Sequence, residues 1–375
     1  MGNDKRKKEP IRIVITGGHH TPALAVMEEL KKKGKFEFHW IGRRTSLRGE
    51  RTLSVEVRTM EKQGVPFHHL QAGKLYRSGL AELVKIPVGV LQAFYLLLKI
   101  RPRLVISFGG YLAAPVVLAA FVLRIPAVTH EQTVVSGWAN RFIARLAKKV
   151  FVSWKRSLAY FPPRKTVWTG NPLRSAVFEK RTGRFCFRNE LPVIYVTGGK
   201  QGAHSINKAV RGALSKFLER YNLIHQTGSS EVFQDYQKLA FLRSQLPKEL
   251  QSHYVVQEYF GENEIGAVFA SADVVVGRSG ANTVYELAAL GKPALLIPIP
   301  WASHQEQFKN AEMLAQRGAA LILPQERLSS ASLLQAITAV VEDLPRFKQS
   351  AAKAGGLVDL NAASRVADEI IRLLQ

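Results

Sequence analysis

The chain has 375 residues, of which 46% are hydrophobic and 22% are charged. This composition excludes an intrinsically disordered protein, and the length allows two domain cores. The single cysteine, Cys186, excludes an internal disulfide and suits a reducing compartment. The 53 Lys and Arg against 29 Asp and Glu are unevenly placed: residues 1–171 hold 30 basic and 10 acidic side chains, whereas residues 172–375 hold 23 and 19.

The first half of the chain alternates apolar strands with helices. Its predicted elements are a disordered basic arm (1–10), a strand (11–15), a helix (22–33), a strand (36–41), a basic loop (43–51), a helix interrupted at Pro87 (80–99), a strand (104–108), a helix (112–123), and strands at 126–129, 150–153 and 165–168. The arm has no apolar stretch, so we do not interpret it as a signal peptide. The uncharged run 104–123 is long enough to cross a bilayer, but Gly109-Gly110 divides it into a buried strand and a helix.

The pattern of the first strand returns near the middle of the chain. Residues 13–18 read Ile-Val-Ile-Thr-Gly-Gly, and residues 194–199 read Ile-Tyr-Val-Thr-Gly-Gly. A strand, a glycine turn and a helix present backbone N–H groups and a positive helix end to an anion. Two such starts predict an α/β chain with two Rossmann-like domains, at 11–171 and 192–355. A linker is predicted at 172–191 and an amphipathic helix in 356–375.

The most informative stretch runs from Val274 to Asn310. It predicts a strand (274–276), a glycine turn (277–280), a helix (281–290), a second strand (294–299) and a polar loop (303–310). Glu286 is the only charge in that helix. It either accepts two ribose hydroxyls beside a phosphate held by the turn, or it only favours the N-terminal half of the helix electrostatically. Because Gln305 and Gln307 follow the next strand, we favour a nucleotide site.

This stretch resembles the MurG family of glycosyltransferases, which join N-acetylglucosamine to a lipid-linked muramyl-pentapeptide. The donor signature of that family, R-[SA]-G-A-x-T-x-x-E-x-x-x-x-G-x-P, is met throughout by residues 278–293. Thr16-Gly17-Gly18-His19 matches half of its first glycine loop, and His130-Glu131-Gln132 matches its H-E-Q-N, with Thr133 in place of Asn. Lys200 replaces a serine in the family's G-G-S-Q-G-A.

The resemblance implies the GT-B architecture, with two parallel sheets facing a central cleft and a C-terminal helix crossing back to the first domain. It implies donor-binding residues Thr16, Gly17, Gly18, Thr133, Arg174, Lys200, Gln201, Gly202, Ser279, Gly280, Thr283, Glu286, Gln305 and Gln307. It implies acceptor or diphosphate contacts at Gly17, Gly18, Gly109, Gly110, Tyr111 and Asn140. Lys200 would neutralise a leaving diphosphate, unless it is only a solvent-facing lysine on a tight turn.

An inverting transfer needs a base that takes the proton of the attacking hydroxyl. His19 follows the first strand and is our first candidate, and Glu131 is the competing one. The sequence has no Asp-x-Asp and no cluster of carboxylates for Mg²⁺. We therefore expect no metal and no cofactor, with helix dipoles, Arg174 and Lys200 stabilising the leaving group.

The basic first half predicts an anionic partner. The sequence shows no recognition helix, zinc finger or aromatic RNA-binding pattern, so we expect no nucleic acid. Apolar residues interleaved with Lys74, Arg77, Lys85, Lys99, Arg101 and Arg103 instead predict a peripheral face on the cytoplasmic side of the cell membrane. The resemblance implies transfer from UDP-N-acetylglucosamine to the undecaprenyl-diphosphate-linked acceptor of peptidoglycan synthesis. Alternatives are a related transferase for another lipid-linked or exopolysaccharide acceptor, and a sugar-nucleotide epimerase of the same fold.

Overall fold

The computed structural model of the chain describes residues 9–44, 55–73, 80–179 and 185–375. It divides into two compact units. The first contains residues 1–173 and 360–375, and the second contains residues 174–359. Three predicted segments fall partly outside the described residues. Of the N-terminal arm only Glu9 and Pro10 are described, of the basic loop only Arg43 and Arg44, and of the linker 172–191 residues 180–184 are not described.

The first unit is built on a parallel sheet. Its strands are β1 (Ile11–Thr16), β2 (Phe36–Gly42), β3 (Phe67–His69), β4 (Leu104–Ser107), β5 (Ala127–Glu131), β6 (Lys149–Val152) and β7 (Thr166–Trp168), in the spatial order β3-β2-β1-β4-β5-β6-β7. Its helices include α1 (His20–Lys33), α2 (Val55–Lys62), α3 (Leu80–Ile100), α4 (Ala113–Val122) and α5 (Trp138–Leu146). Apolar clusters cover both faces of the sheet, as buried parallel strands require.

The second unit repeats this plan. Its strands are β8 (Val193–Thr197), β9 (Asn222–Gln226), β10 (Tyr254–Gln257), β11 (Val274–Gly277), β12 (Ala294–Leu296) and β13 (Ala320–Ile322), in the parallel order β10-β9-β8-β11-β12-β13. Its helices are α6 (His204–Arg211), α7 (Leu214–Leu218), α8 (Asp235–Gln245), α9 (Lys248–Ser252), α10 (Glu262–Ser271), α11 (Ala281–Leu290), α12 (Glu306–Ala315), α13 (Ser330–Glu342) and α14 (Leu344–Ala354). The expected α/β class with two parallel-sheet domains is confirmed.

The strand order reverses beside the first strand of each sheet. In the first unit β1 lies between β2 and β4, and in the second unit β8 lies between β9 and β11. The crevice outside the carboxyl ends of the strands at such a reversal is where open α/β sheets bind ligands. The fold therefore selects two pairs of loops: those after β1 and β4, and those after β8 and β11.

The last helix, α15 (Ala362–Leu374), belongs to the first unit and packs against α1. Val366, Ala367 and Ile370 are buried in the same cluster as Met27 of α1. Lys33 of α1 pairs with Asp368 at 2.6 Å. Residues 356–359, predicted to be part of this terminal segment, lie in the second unit.

The structure differs from the predicted elements at Pro87 and in the polar loop, and it shows where part of the predicted linker lies. The helix interrupted at Pro87 continues through it from Leu80 to Ile100, because packing of its buried side on α4 outweighs one lost backbone hydrogen bond. The described part of the predicted linker 172–191 is not separate. From Arg174 it belongs to the second unit, where a short 3-10 turn, Ser175–Phe178, packs on α10. The predicted polar loop 303–310 is a 3-10 turn followed by the first residues of α12.

Candidate active site

In the first unit, two glycine loops pack against each other at the carboxyl edge of the sheet. A Cβ on Gly17, whose φ is +130°, would lie 2.7 Å from the carbonyl carbon of Phe108. The N–H of Gly18 donates to the carbonyl of Gly109 at 3.3 Å. The loop after β1 and the loop after β4 can approach this closely only because they lack side chains. The structure thus brings Gly17, Gly18 and Gly109 together, with Gly110 adjacent.

His19 lies between the first of these loops and α1. Burial is the main cause that lowers its pKa to about 4, the charge of His20 adds to this, and the carboxylate of Glu56 opposes it. The His19 side chain is partly exposed to solvent, but the protein atoms packed around its ring remove much of the water that would stabilise a charge there. None of the described residues hydrogen-bonds to the ring. His19 is therefore neutral at pH 7 and can accept a proton.

His130 is the other histidine at this edge, and its two nitrogens are both occupied. Nε2 donates to the carbonyl of Gly170 at 2.9 Å, so Nδ1 accepts from the side-chain amide of Gln132 at 3.2 Å. Burial lowers the pKa of His130 to about 4, the Gly170 bond opposes the shift, and His19 adds to it. These contacts fix one neutral tautomer, so His130 is a structural group beside His19 and not a second base.

Glu131 is buried, and its oxygens accept hydrogen bonds from neighbouring loop residues. Oε1 accepts from the backbone N–H of Thr133 at 3.1 Å and lies 2.9 Å from its hydroxyl, while Oε2 accepts from Asn140 at 2.8 Å. Burial raises the pKa of Glu131 above its usual range, and these bonds oppose the shift. Because both oxygens face inward, Glu131 is better placed to hold the loop than to meet a substrate.

Thr133 and Asn140, which the resemblance assigned to the donor and the acceptor, both contact this carboxyl group. The Thr133 hydroxyl also lies within hydrogen-bonding distance of the Val135 carbonyl. The side chain of Asn140 fills the space beside Gly109, where a Cβ would lie 2.7 Å from its amide nitrogen. Asn140 therefore supports the second glycine loop from below. Thr16 is likewise fully buried, and its hydroxyl has no hydrogen-bond partner among the described residues.

In the second unit, the loops after β8 and β11 border a cavity of about 600 Å³. It is lined by Thr197, Gly198, Gly199, Gln201, Gly202, Ala203, His204, Ser205, Phe233, Arg278, Gly280, Thr283, Ile299, Trp301, Gln307 and Gln325. The helices α6 and α11 begin at its wall, so two sets of N-terminal backbone N–H groups lie there. None of the described residues that line it is acidic.

Glu286, on the helix whose first residues border the cavity, forms a buried ion pair with Arg174. Arg174 Nη2 is 3.6 Å from Glu286 Oε1, and both side chains are about one-tenth exposed. Burial raises the pKa of Glu286, and the positive charges of Arg174 and Lys200 oppose that shift. Burial disfavours the charge on Arg174, but Glu286, Tyr259 and Glu262 outweigh it and raise the pKa of Arg174. Lys200 lies over the ring of Tyr259 at 5.6 Å.

The structure places the predicted donor residues of the second unit in four different surroundings. Gln201, Gly202, Gly280, Thr283 and Gln307 line the cavity, and Arg174, Lys200 and Glu286 form the adjoining charged cluster. Gln305 is separate, since it lines a smaller hollow of about 270 Å³ with Pro298 and Phe308. Ser279 is fully buried, and its hydroxyl has no partner in the described part of the chain.

The sequence reasoning missed three residues of this site: His204, Tyr259 and Arg278. Arg278 opens the donor signature, and burial lowers its pKa to about 10. Its guanidinium donates to the carbonyl of Ile297 at 3.0 Å, to Ser205 Oγ at 2.8 Å and to Gln325 Oε1 at 2.5 Å. Arg278 could have been found from the sequence, because a cation directly after a buried strand is a signal for a binding site. Tyr259 has no such sequence signal, because its contacts come from residues distant in the sequence.

Family models match both units. Residues 14–152 match the glycosyltransferase family 28 N-terminal domain, and residues 193–370 match the glycosyltransferase family 28 C-terminal domain. Together with the two parallel sheets and their glycine loops, these matches define a glycosyltransferase.

Individual relatives show to which family of glycosyltransferases the chain belongs. A UDP-N-acetylglucosamine–N-acetylmuramyl-(pentapeptide) pyrophosphoryl-undecaprenol N-acetylglucosamine transferase of Lachnoclostridium phytofermentans is 37% identical over 88% of this chain and 91% of its own. The crystal structure of Acinetobacter baumannii MurG is 28% identical, with a TM-score of 0.69 over 97% of this chain and all of the other. The chain belongs to the MurG family. A UDP-N-acetylglucosamine 2-epimerase structure, 16% identical with a TM-score of 0.62 over 96% of this chain and 95% of the other, shares the fold.

Glu286 provides the first prediction. If Glu286 accepts hydrogen bonds from a ribose, replacing it by Ala or Gln should weaken UDP binding by roughly 2 kcal/mol, because charge-assisted hydrogen bonds are lost. Calorimetry with UDP measures this, and Glu219→Ala, an exposed carboxylate of the same unit, should leave the affinity unchanged. Unchanged UDP affinity in folded Glu286 variants would mean that Glu286 serves only as the partner of Arg174.

His19 provides the second prediction. His19→Ala should lower kcat by about 10²–10⁴-fold and leave UDP binding nearly intact, because a base acts only on the acceptor proton. Since the pKa of His19 is lowered to about 4, kcat should stay level down to about pH 5 and fall only as His19 becomes protonated below that. If His19→Ala still turns over substrate and Glu131→Gln does not, Glu131 is the base and His19 is not.

Proposed function

We propose that this protein transfers N-acetylglucosamine from UDP-N-acetylglucosamine to an N-acetylmuramyl-pentapeptide carried on undecaprenyl diphosphate, with inversion at the anomeric carbon. This is the step of peptidoglycan synthesis that completes the lipid-linked disaccharide. Its relatives carry the name of this activity, and they match nearly the whole chain.

The proposal that the protein binds a nucleotide donor rests on the charge of the second-unit cavity. Two helix N-termini, Arg278 and the backbone of a glycine loop meet there, and no acidic side chain of the described residues lines the wall. Such a site favours a group with several negative charges, such as a nucleoside diphosphate. The buried Glu286, one helical turn beyond Thr283, is suited to the neutral but polar ribose hydroxyls.

The chemistry is a single displacement at the anomeric carbon. The acceptor hydroxyl oxygen forms the new bond to that carbon, the bond to the diphosphate oxygen breaks, and UDP leaves with the bonding electron pair. His19 takes the hydroxyl proton. Because its pKa of about 4 makes it a weaker base than an ordinary imidazole, proton transfer should be late, when the hydroxyl has become acidic by bond formation.

We propose that positive protein groups replace a metal at the leaving diphosphate. Arg278 lines the cavity, and Lys200 and Arg174 lie in the charged cluster beside it. Fixed cations and helix N-termini in a partly dry site stabilise developing negative charge without reorganisation. In the described part of the chain, no three His, Cys, Asp or Glu side chains are grouped to hold a metal ion.

An exposed apolar surface on the first unit supports a membrane-bound acceptor. Val88, Leu91, Tyr95 and Leu98 follow a helical spacing on α3, and Phe121 and Val122 on α4 and Trp138 and Phe142 on α5 are also exposed. We call these eight residues the apolar face. Leu91 is 69% exposed, Tyr95 63% and Trp138 70%, which is unusual for side chains of this size. The three helices pack in succession, α3 on α4 and α4 on α5.

Basic side chains accompany the apolar face. Lys99, Arg101, Arg103, Arg124, Arg141 and Arg145 are exposed on the same three helices or just after them. Lys74 and Arg77, which we predicted to belong to the membrane face, lie outside the described residues. Each basic residue near an anionic lipid surface adds about 1 kcal/mol of attraction. We propose that the apolar face binds peripherally to the cytoplasmic side of the cell membrane. None of the helices that the structure describes has the length and hydropathy to cross a bilayer.

Product analysis tests the activity. The purified protein with UDP-N-acetylglucosamine and the lipid-linked muramyl-pentapeptide should form the β-linked disaccharide and UDP, and EDTA should leave the rate unchanged. Other lipid-linked sugars serve as controls. Transfer only to another acceptor would show that the proposed acceptor is wrong. Formation of epimerised UDP-sugar without transfer would show that the protein is an epimerase. A rate that is lost in EDTA and restored by Mg²⁺ would contradict the metal-free mechanism.

Vesicle sedimentation tests the membrane face. Neutralising Lys85, Lys99, Arg101 and Arg103 together should remove up to ~4 kcal/mol of binding to anionic vesicles and little on neutral ones. Leu91→Ser with Leu98→Ser should weaken binding to both, because apolar area is lost. Neutralising four exposed basic residues of the second unit, Lys216, Arg220, Arg317 and Lys353, is the matched control. Parent-like binding of the first quadruple variant would exclude the basic residues as a membrane contact.

A further inference from the structure

A histidine on the cavity wall is held by a buried carboxylate. His204 is the first residue of α6, and its Nδ1 lies 2.9 and 3.1 Å from the two oxygens of Asp235. Its ring stacks on Phe233, with the centroids 4.0 Å apart and the planes 13° apart. Because a carboxylate accepts hydrogen bonds, Nδ1 carries a hydrogen and Nε2 occupies the opposite edge of the ring. The side chain of His204 is one-third exposed, so this edge is not sealed in the core.

Asp235 in turn belongs to a buried network that fixes its position. The amide of Asn207 donates to Asp235 Oδ2 and to the carbonyl of Thr227, both at 2.9 Å. Asn207 Oδ1 accepts from His225 Nε2 at 3.0 Å, so His225 Nδ1 accepts from the hydroxyl of Tyr254 at 2.9 Å. Burial lowers the pKa of His225 to about 3 and keeps it neutral in this one tautomer.

The same network supports the glycine loop. The carbonyl of Thr227, which Asn207 holds, lies 2.0 Å from where a Cβ of Gly202 would be. The loop and His204 are therefore positioned by one scaffold, and a shift of Asn207 would move both. Such preorganisation is typical of groups that bind a ligand and is unnecessary for a surface histidine.

The cavity wall around His204 favours an anionic ligand, because α6 begins there and Arg278 lines the same cavity. Asp235 occupies Nδ1, so a ligand in the cavity would meet Nε2. Arg278 donates hydrogen bonds to neutral groups, one of which is the hydroxyl of Ser205, the residue after His204. The described lining of the cavity has no carboxylate.

We propose that His204 is a binding residue for the diphosphate of the nucleotide donor, donating from Nε2–H to a phosphate oxygen. The Asp235 network holds the ring in this orientation, and in the complex both ring nitrogens carry a hydrogen, one donated to Asp235 and one to the phosphate. This inference rests on the proposed function, because it takes the cavity to be the donor site. It assigns to Asp235, Asn207 and Phe233 the role of positioning residues, which act through His204 and not on the ligand.

The test compares ligands with different numbers of phosphates. Calorimetry on the full chain with UDP, UMP and uridine should show about a tenfold loss of UDP affinity in His204→Gln, the scale of one charge-assisted hydrogen bond. Uridine affinity should not change. His204→Arg should recover most of the UDP affinity because a guanidinium can also donate to a phosphate oxygen, and Asp235→Asn should resemble His204→Gln because the ring loses the partner that orients it. His253→Gln, in the same unit but outside the cavity lining, is the matched control.

The outcomes separate the two proposals. Equal losses for UDP and uridine in His204→Gln, or no loss for either, would overturn the role of His204 and leave the proposed function standing if the parent binds UDP and forms product. If His204→Gln does not fold, as thermal unfolding would show, the comparison of His204→Arg with Asp235→Asn decides instead. Equal UDP affinities in those two variants would contradict the role of residue 204 as a hydrogen-bond donor to phosphate. A parent protein that binds no UDP would overturn both proposals.

Discussion

The close approach of backbone loops at the carboxyl ends of the sheets is the constraint on which the site depends. A Cβ on Gly202 would lie 2.0 Å from the carbonyl oxygen of Thr227, and one on Gly228 would lie 2.1 Å from the nitrogen of Gly202. In the first unit, Gly17 meets the backbone of Phe108 in the same way. No side chain larger than hydrogen fits between these loops. Their N–H groups can therefore be presented together to an anion, which separated loops could not do.

Several buried polar side chains beneath these loops hold them in place. Glu131 binds the loop that carries Thr133, and Asn140 joins that carboxyl to Gly109. In the second unit Asn207 has the corresponding role between Thr227 and Asp235. Buried polar side chains are costly unless they are satisfied, so each of these networks fixes one arrangement. His19 and Arg278 differ from them, because His19 has no hydrogen bond to its ring among the described residues and Arg278 contacts only neutral groups.

Much of the fold could be predicted from the sequence, since apolar strands, glycine turns and helix ends are local signals. The two glycine starts, the strand before Arg278 and the helix that ends at Gly291 were found in this way. Pro87 misled the prediction, because its local cost is smaller than the packing of a long helix on α4.

The site could be predicted less completely, because its contacts join residues far apart in the chain. The pairing of His204 with Asp235 crosses 31 positions, and no periodicity indicates it. Gln305 and Gln307 looked equivalent in the sequence. The structure separates them because Gln305, with a φ of +53°, ends a 3-10 turn, while Gln307 lies in the first turn of α12. A positive φ at a residue other than glycine has no sequence signature of its own.

The path of the chain has a consequence for its synthesis. The second unit is continuous from Arg174 to Asp359, whereas the first unit is completed only by the residues from Leu360 onward. A ribosome therefore delivers the whole second unit before it delivers Val366, Ala367 and Ile370, which cover α1. Until then the apolar strip on α1 that these three residues cover is exposed in the nascent chain, although all residues of the second unit have been made, and a chaperone could bind this strip during that interval.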